Sequence, residues 1–167
     1  MRSSRRVTLI RLTMVMAATA MLPAACGGDD AAEIVEVTGT SSCIDVIDGT
    51  GTGVGNSFRD AEYECTMVVS DARLLGKSSV VNSCDLPEVD GVTLGECWGT
   101  AELTNDGGTW EGTFTGTTTW SGNNPAHAHD MDFVYVGTGD YEGLQFVATM
   151  EGTNYPWNVT GQIEPID

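Results

Sequence analysis

Basic residues are scarce in this 167-residue chain, and most of them lie at its N-terminus. Four of the seven Lys and Arg residues precede residue 12, and beyond Cys26 only Arg59, Arg73 and Lys77 remain. These three residues stand against all 24 Asp and Glu residues, which gives a formal charge of −21 after residue 25. Nucleic acid and anionic lipid are both recognised through clustered Lys and Arg. The charge balance therefore excludes both as partners of a basic face and predicts a solvated acidic surface.

The sequence also lacks an apolar run long enough to span a bilayer comfortably. Its one extended apolar stretch, Leu12–Leu22, follows a basic head and leads into small residues. A basic head, a short apolar run and small residues are the three parts of an export signal. We therefore expect residues 1–25 to be a signal peptide that is removed by cleavage.

The expected signal ends in Ala24-Ala25-Cys26 and is followed by Gly-Gly-Asp-Asp. This end resembles the lipobox of bacterial lipoproteins, although Pro23 departs from the usual pattern. The resemblance implies that Cys26 receives lipid and becomes the new N-terminus, with 26–32 as the lipidated cysteine and its tether. It also implies an extracytoplasmic protein of the cell envelope, anchored to a bacterial membrane through that lipid. An ordinary signal peptide with an incidental cysteine is the alternative interpretation.

Four cysteines remain after Cys26, and none of them forms a C-x-x-C pair typical of zinc sites. An even number of cysteines in an exported chain predicts two disulfides. Four cysteines allow three pairings. We favour Cys43 with Cys65 and Cys84 with Cys97, because each of these pairs closes a single loop.

Residues 33–167 contain hardly any helix-period apolar pattern, and turn-forming residues recur about every ten positions. In Thr109–Trp120, apolar residues and glycines alternate with Glu and Thr, which indicates a strand with one buried face. Asn105–Gly108 should form the hairpin turn before it. The other expected strands are Glu33–Thr40, Glu62–Ser70, Lys77–Asn82, Glu96–Thr104 and segments around 131–135, 144–150 and 157–163.

The inward faces of these strands mix large aromatic residues with glycines. A tightly curved sheet suits this mixture, because a ring on one strand fills the space that a glycine leaves on another. The sequence therefore predicts an all-β single domain, a small antiparallel barrel of about eight strands.

Three segments together resemble a known family: Ser70–Gly76, Gly108–Gly112 and Gly137–Leu144. The last reads G-x-G-x-Y-x-G-L and is similar to a turn between late strands in bacterial proteins of the allene-oxide-cyclase-like barrel superfamily, relatives of the dirigent proteins. The resemblance implies a barrel, and its cyclase and dirigent members handle small hydrophobic molecules in the barrel mouth. No catalytic residue of these families matches a position here, so catalytic residues stay unassigned.

Seven aromatic residues are expected to face inward. They either fill the core or line a ligand pocket at one end of the barrel. As a pocket, the candidate lining residues are Trp110, Phe114, Trp120, Phe133, Tyr135, Phe146 and Trp157.

The stretch around His127 and His129 is the one candidate metal site. If extended, it would place both imidazoles on one face, with Asp130 or Asp132 as a further ligand for zinc, copper or nickel. Alternatively, the neighbouring Asn123-Asn124-Pro125 favours an exposed turn in which both histidines are solvated. We favour the turn and expect no cofactor.

These features predict a monomeric, lipid-anchored extracytoplasmic domain that binds a small apolar ligand or a partner, rather than an enzyme. Two alternatives stay open: an isomerase or cyclase acting on a hydrophobic substrate in the barrel mouth, and a purely structural protein of the envelope.

Overall fold

The computed structural model describes residues 33–89, 92–121 and 124–166, with residues 89, 120–121 and 124–127 described through their backbone alone. Residues 1–32, which are expected to form the signal peptide, the lipidated cysteine and the tether, lie outside the described residues. Within the described ranges, no helix is long and apolar enough to cross a membrane.

Antiparallel strands make up nearly all of the regular structure. Two short 3-10 turns, Ala72–Leu74 and Gly139–Tyr141, interrupt them. The strands are β1 (Val35–Ile47), β2 (Thr50–Gly51), β3 (Phe58–Val69), β4 (Gly76–Asp85), β5 (Glu88–Val89), β6 (Val92–Asn105), β7 (Gly108–Ser121), β8 (Asn124–Gly137), β9 (Leu144–Gly152) and β10 (Trp157–Pro165).

Eight of the described strands close into a barrel. Their order is β1-β10-β9-β8-β7-β6-β4-β3, and a direct pairing of β1 with β3 completes the ring. The two-residue strands β2 and β5 extend the sheet beside β3 and β6 at one end of the barrel. The fold class predicted from the sequence is therefore confirmed.

The pairing of glycines with rings is confirmed at two positions. A Cβ added to Gly112 would lie 2.5 Å from the Tyr135 ring on the neighbouring strand. One added to Gly99 would lie 2.8 Å from the ring of Phe114. The expected hairpin is also present, because Asn105 pairs with Gly108.

Several strands are longer than the sequence predicted. Strand β1 runs on to Ile47 because it keeps pairing with β3 through Cys43 and Cys65. Beyond Cys43 its side chains are exposed, so this part lacks the alternating burial from which a strand is recognised.

The expectation of an exposed turn around the histidines was wrong. Strand β8 begins at Asn124, and its pairing with β7 continues from His129 to Ala128 and then, past an irregularity, to Asn124. The Thr-rich strand β7 supplies backbone partners to this segment. Pro125 is tolerated because it lies at the start of the strand.

Candidate ligand cavity at the open end of the barrel

One end of the barrel, here called the closed end, is filled by side chains. The Trp110 ring stacks on Tyr141 with 5.0 Å between centroids, and Trp110 Nε1 donates a hydrogen bond to the Arg73 carbonyl at 3.0 Å. Tyr141 OH donates to Asn105 Oδ1 at 2.5 Å. Leu74, from the first 3-10 turn, is buried beside them. The three segments that resemble the cyclase-like superfamily therefore meet at this end and serve to seal it.

The opposite end, here called the open end, contains a cavity of about 500 Å³. All eight barrel strands contribute to its wall, together with Leu86 and the loop from Thr153 to Tyr155. Side chains leave this end of the barrel unfilled because the lining includes small residues such as Ser41, Ser78 and Thr118. The closed end has large rings instead.

Aromatic rings and one serine line the inner part of this cavity. The rings of Phe114 and Phe133 stack at 4.8 Å, and Phe133 stacks on Tyr135 at 5.7 Å. Ser78 is 2% exposed and lines the same cavity. Among the described residues, its Oγ has no hydrogen-bond partner. A buried hydroxyl without a partner is unfavourable, so this atom is a candidate contact for a bound molecule.

Both disulfides lie in the cavity wall. Cys43 is bonded to Cys65 and Cys84 to Cys97, with S–S distances of 2.00 and 1.97 Å. The members of each pair are register neighbours on adjacent strands, so the bonds fasten the bases of the two long connections at the open end. The pairing predicted from loop closure is present in the structure.

The mouth of the cavity is aromatic on one side. Trp157 lies between His129 and Tyr155, with ring centroids 4.4 and 4.8 Å away. His129 Nδ1 is 3.0 Å from the Thr118 hydroxyl. His129 is therefore an inward, partly buried residue of the cavity and not the solvated side chain that the sequence suggested.

The cavity lining has little formal charge. Among the described residues that line it, Asp45 is the one acidic residue and none is Lys or Arg. Burial raises the pKa of Tyr135 well above its ordinary value, and the Ser78 hydroxyl, which lies near the phenol but outside hydrogen-bond geometry, acts against this rise. Burial also raises the pKa values of Tyr63 and Tyr155. The charge of Asp45 raises both pKa values further, and Tyr63 adds to the rise for Tyr155. All three phenols stay protonated at neutral pH and can donate hydrogen bonds.

The seven aromatic residues predicted for a pocket divide between the two ends. Phe114, Phe133, Tyr135 and Trp157 line the cavity. The structure places Trp110 and Phe146 in the filled core, where both are fully buried. The side chain of Trp120 lies outside the described part of the structure. Period-two alternation identifies inward residues, but it does not indicate their depth along the barrel axis.

The candidate metal ligands do not converge in the described part of the chain. His129 faces inward, whereas Asp130 and Asp132 are exposed on the outer face, where Asp132 accepts a hydrogen bond from Thr149 at 2.9 Å. The His127 side chain is not described. No group of three His, Cys, Asp or Glu residues able to hold a metal occurs among the described residues.

Sequence analysis gave no role to Ser78, although it lies in an expected strand. The inward set of β4 is Ser78, Val80, Asn82 and Cys84. Alternation back from the predicted disulfide at Cys84 would have placed Ser78 inside the barrel. Its lack of a partner could not have been read from the sequence, because it depends on the neighbours across the barrel.

Comparisons with protein-family models, curated proteins and solved structures found no match to this chain. The resemblance to the allene-oxide-cyclase-like superfamily therefore stays a prediction.

Proposed function

We propose that the barrel binds a small, largely apolar molecule in the cavity at its open end. The observation that carries this proposal is a cavity of about 500 Å³ lined by aromatic rings, methionines and disulfide sulfurs. Ligand sites in proteins span about 300–1,000 Å³ and combine apolar walls with a few polar groups. Protein interiors are otherwise close-packed, so a void of this size in so small a domain needs a reason.

The cavity also has the rigidity expected of a preformed site. The two disulfides hold the connections around its mouth, and its floor rests on the packed closed end. A preformed site loses little conformational entropy when a ligand binds. An enzymatic role would need a general base near the floor, whereas Asp45 and His129 lie toward the mouth and the phenol at the floor, Tyr135, stays protonated. Binding therefore accounts for the arrangement better than isomerase or cyclase chemistry.

Filling the cavity should abolish binding. Val80 lines the cavity, and its neighbour Val81 faces the outside of the barrel. We expect Val80→Trp to weaken binding of the neutral fluorescent dye N-phenyl-1-naphthylamine at least tenfold, because the indole occupies the space of the ligand. The matched variant Val81→Trp should bind the dye as wild type does.

Dye titration by fluorescence measures this difference, and thermal unfolding shows that both variants fold. Equal binding by the two variants, or no binding by the wild-type protein, would contradict the proposal.

We further propose that the barrel is displayed on the outer side of a bacterial membrane by lipid on Cys26. The lipobox-like end of the signal and the oxidised cysteines support this location. Changing Cys26 to Ser should move the protein from the membrane fraction to the soluble exported fraction. Retention of the variant in the membrane fraction would show that another feature anchors the protein.

A further inference from the structure

The floor of the cavity differs chemically from its walls. Most of the lining is apolar, but Ser78 and Tyr135 bring two hydroxyl groups to the part nearest the closed end. Ser78 pairs with Leu103 and Tyr135 lies two residues before Gly137, and both Leu103 and Gly137 pair with Trp110. Both residues are 2% exposed. A few hydroxyls in an otherwise apolar pocket fix the orientation of a ligand and provide specificity.

The Ser78 hydroxyl is available to a ligand. Its Oγ is buried and has no hydrogen-bond partner among the described residues. The Tyr135 phenol is kept protonated by burial, so it presents an O–H donor. A bound molecule that accepts a hydrogen bond at this point would satisfy the Ser78 hydroxyl, which is costly to bury unpaired.

The charges around the cavity decide which acceptor is suitable. A carboxylate or phosphate would pass Asp45 at the mouth and enter a pocket whose described lining contains no Lys or Arg. The strongly acidic chain adds to this repulsion. An anion buried without a positive partner is strongly unfavourable, so the acceptor has to be neutral.

The walls favour a flat, unsaturated ligand skeleton. Phe114 and Phe133 present a stacked pair of rings, and Trp157 presents another ring at the mouth. Sulfur atoms of Met67, Met131 and Met150 and of both disulfides face the same space. Aromatic rings and sulfur both make favourable contacts with aromatic ligands.

We propose that the cavity selects a neutral aromatic or conjugated molecule that carries a carbonyl group, which enters first and accepts hydrogen bonds from Ser78 Oγ and the Tyr135 hydroxyl. This assignment rests on the proposed function and specifies its ligand class.

Three probes of nearly equal shape test the assignment. They are 2-acetonaphthone, a neutral ketone; 2-isopropenylnaphthalene, in which a methylene group replaces the carbonyl oxygen; and 2-naphthoate, an anion. Calorimetric titration into the exported protein carrying Cys26→Ser should give at least tenfold tighter binding for the ketone than for either of the others.

Substitutions at the floor separate hydrogen bonding from packing. Ser78→Ala should reduce ketone affinity about tenfold and leave hydrocarbon affinity within twofold, and Tyr135→Phe should act in the same direction. Ser79→Ala is the matched control, because Ser79 is exposed on the outer face of the same strand and should change neither affinity.

The outcomes distinguish this assignment from the broader proposal. Two results would overturn the assignment and leave the proposal of apolar binding intact. One is equal affinity of the protein with an unsubstituted floor for the ketone and the hydrocarbon. The other is a preference for the ketone that persists in both Ser78→Ala and Tyr135→Phe. Tightest binding of the naphthoate would also overturn it. Failure of all three probes, together with the dye, would overturn the proposed function and the assignment with it.

Discussion

Ser78 is a single residue whose side chain is expected to destabilise the ligand-free protein. It lies at the floor of the cavity with a hydroxyl that lacks a partner, on a strand where its inward neighbours include Val80 and Cys84. An alanine would fit the same position without leaving a polar atom buried. A hydroxyl that destabilises the free protein is expected at a position where it contacts a ligand.

Replacing Ser78 with alanine should therefore stabilise the ligand-free protein. Removing an unsatisfied buried hydroxyl lowers a desolvation cost, so we expect the free energy of unfolding to rise by about 1 kcal/mol. Denaturant unfolding measures the change, with Ser79→Ala as a control that should have no effect. A loss of stability on Ser78→Ala would mean that the hydroxyl has a structural partner in solution.

Inward and outward positions could be predicted residue by residue, but depth could not. The same alternation predicted that Trp110 and Phe114 both face inward. Trp110 nevertheless seals the closed end, whereas Phe114 lines the cavity at the open end. Depth depends on how the strands are staggered around the barrel, which no single strand encodes. The position of His129 was missed for a different reason: the neighbouring Asn and Pro residues favour turns, and pairing with β7 overrides that preference.

At the scale of elements, the first 3-10 turn is the part of the closed end that depends most on an ion pair. Asp71 caps the turn Ala72–Leu74 by accepting a hydrogen bond from the Arg73 backbone N–H at 2.9 Å. Its carboxylate also accepts from Arg73 Nε at 2.9 Å and from a terminal guanidinium nitrogen at 2.7 Å. The same turn contains Arg73, whose carbonyl accepts the hydrogen bond from Trp110 Nε1.

Changing Asp71 to asparagine should destabilise the protein in a pH-dependent way. The hydrogen bonds from Arg73 lower the pKa of Asp71 below its ordinary value of 3.8. The stabilisation is therefore complete above about pH 4 and is lost as the pH falls through the lowered folded-state value. At neutral pH we expect a loss of about 1 kcal/mol, because asparagine keeps the capping oxygen but loses the ion pair with the Arg73 guanidinium.

Unfolding of wild type and Asp71→Asn, measured from pH 7 to pH 2, checks this expectation. The difference between the two proteins should disappear at the acid end. Asp140→Asn, in the other 3-10 turn, removes an exposed carboxylate and should leave the profile unchanged. A difference that does not shrink between pH 7 and pH 2 would show that the ionised carboxylate is not the source of the stability.

At the scale of the whole molecule, the barrel combines a filled end with an open one. Strand number, closure and disulfide pairing could be predicted, because alternation, glycine placement and cysteine spacing are local in the sequence. The hollow end could not be predicted. Whether a barrel is filled depends on the summed volume of side chains from all eight strands at one depth, which requires their register.

A crystal structure of the exported protein with bound 2-acetonaphthone would test the central claim most directly. The account predicts naphthyl density in the open-end cavity beside Phe114, Phe133 and Trp157, with the carbonyl oxygen within hydrogen-bond distance of Ser78 Oγ. Side chains that fill this end of the barrel, or a ligand bound only on the outer surface, would contradict the claim that the barrel is a binding protein with its site at the open end.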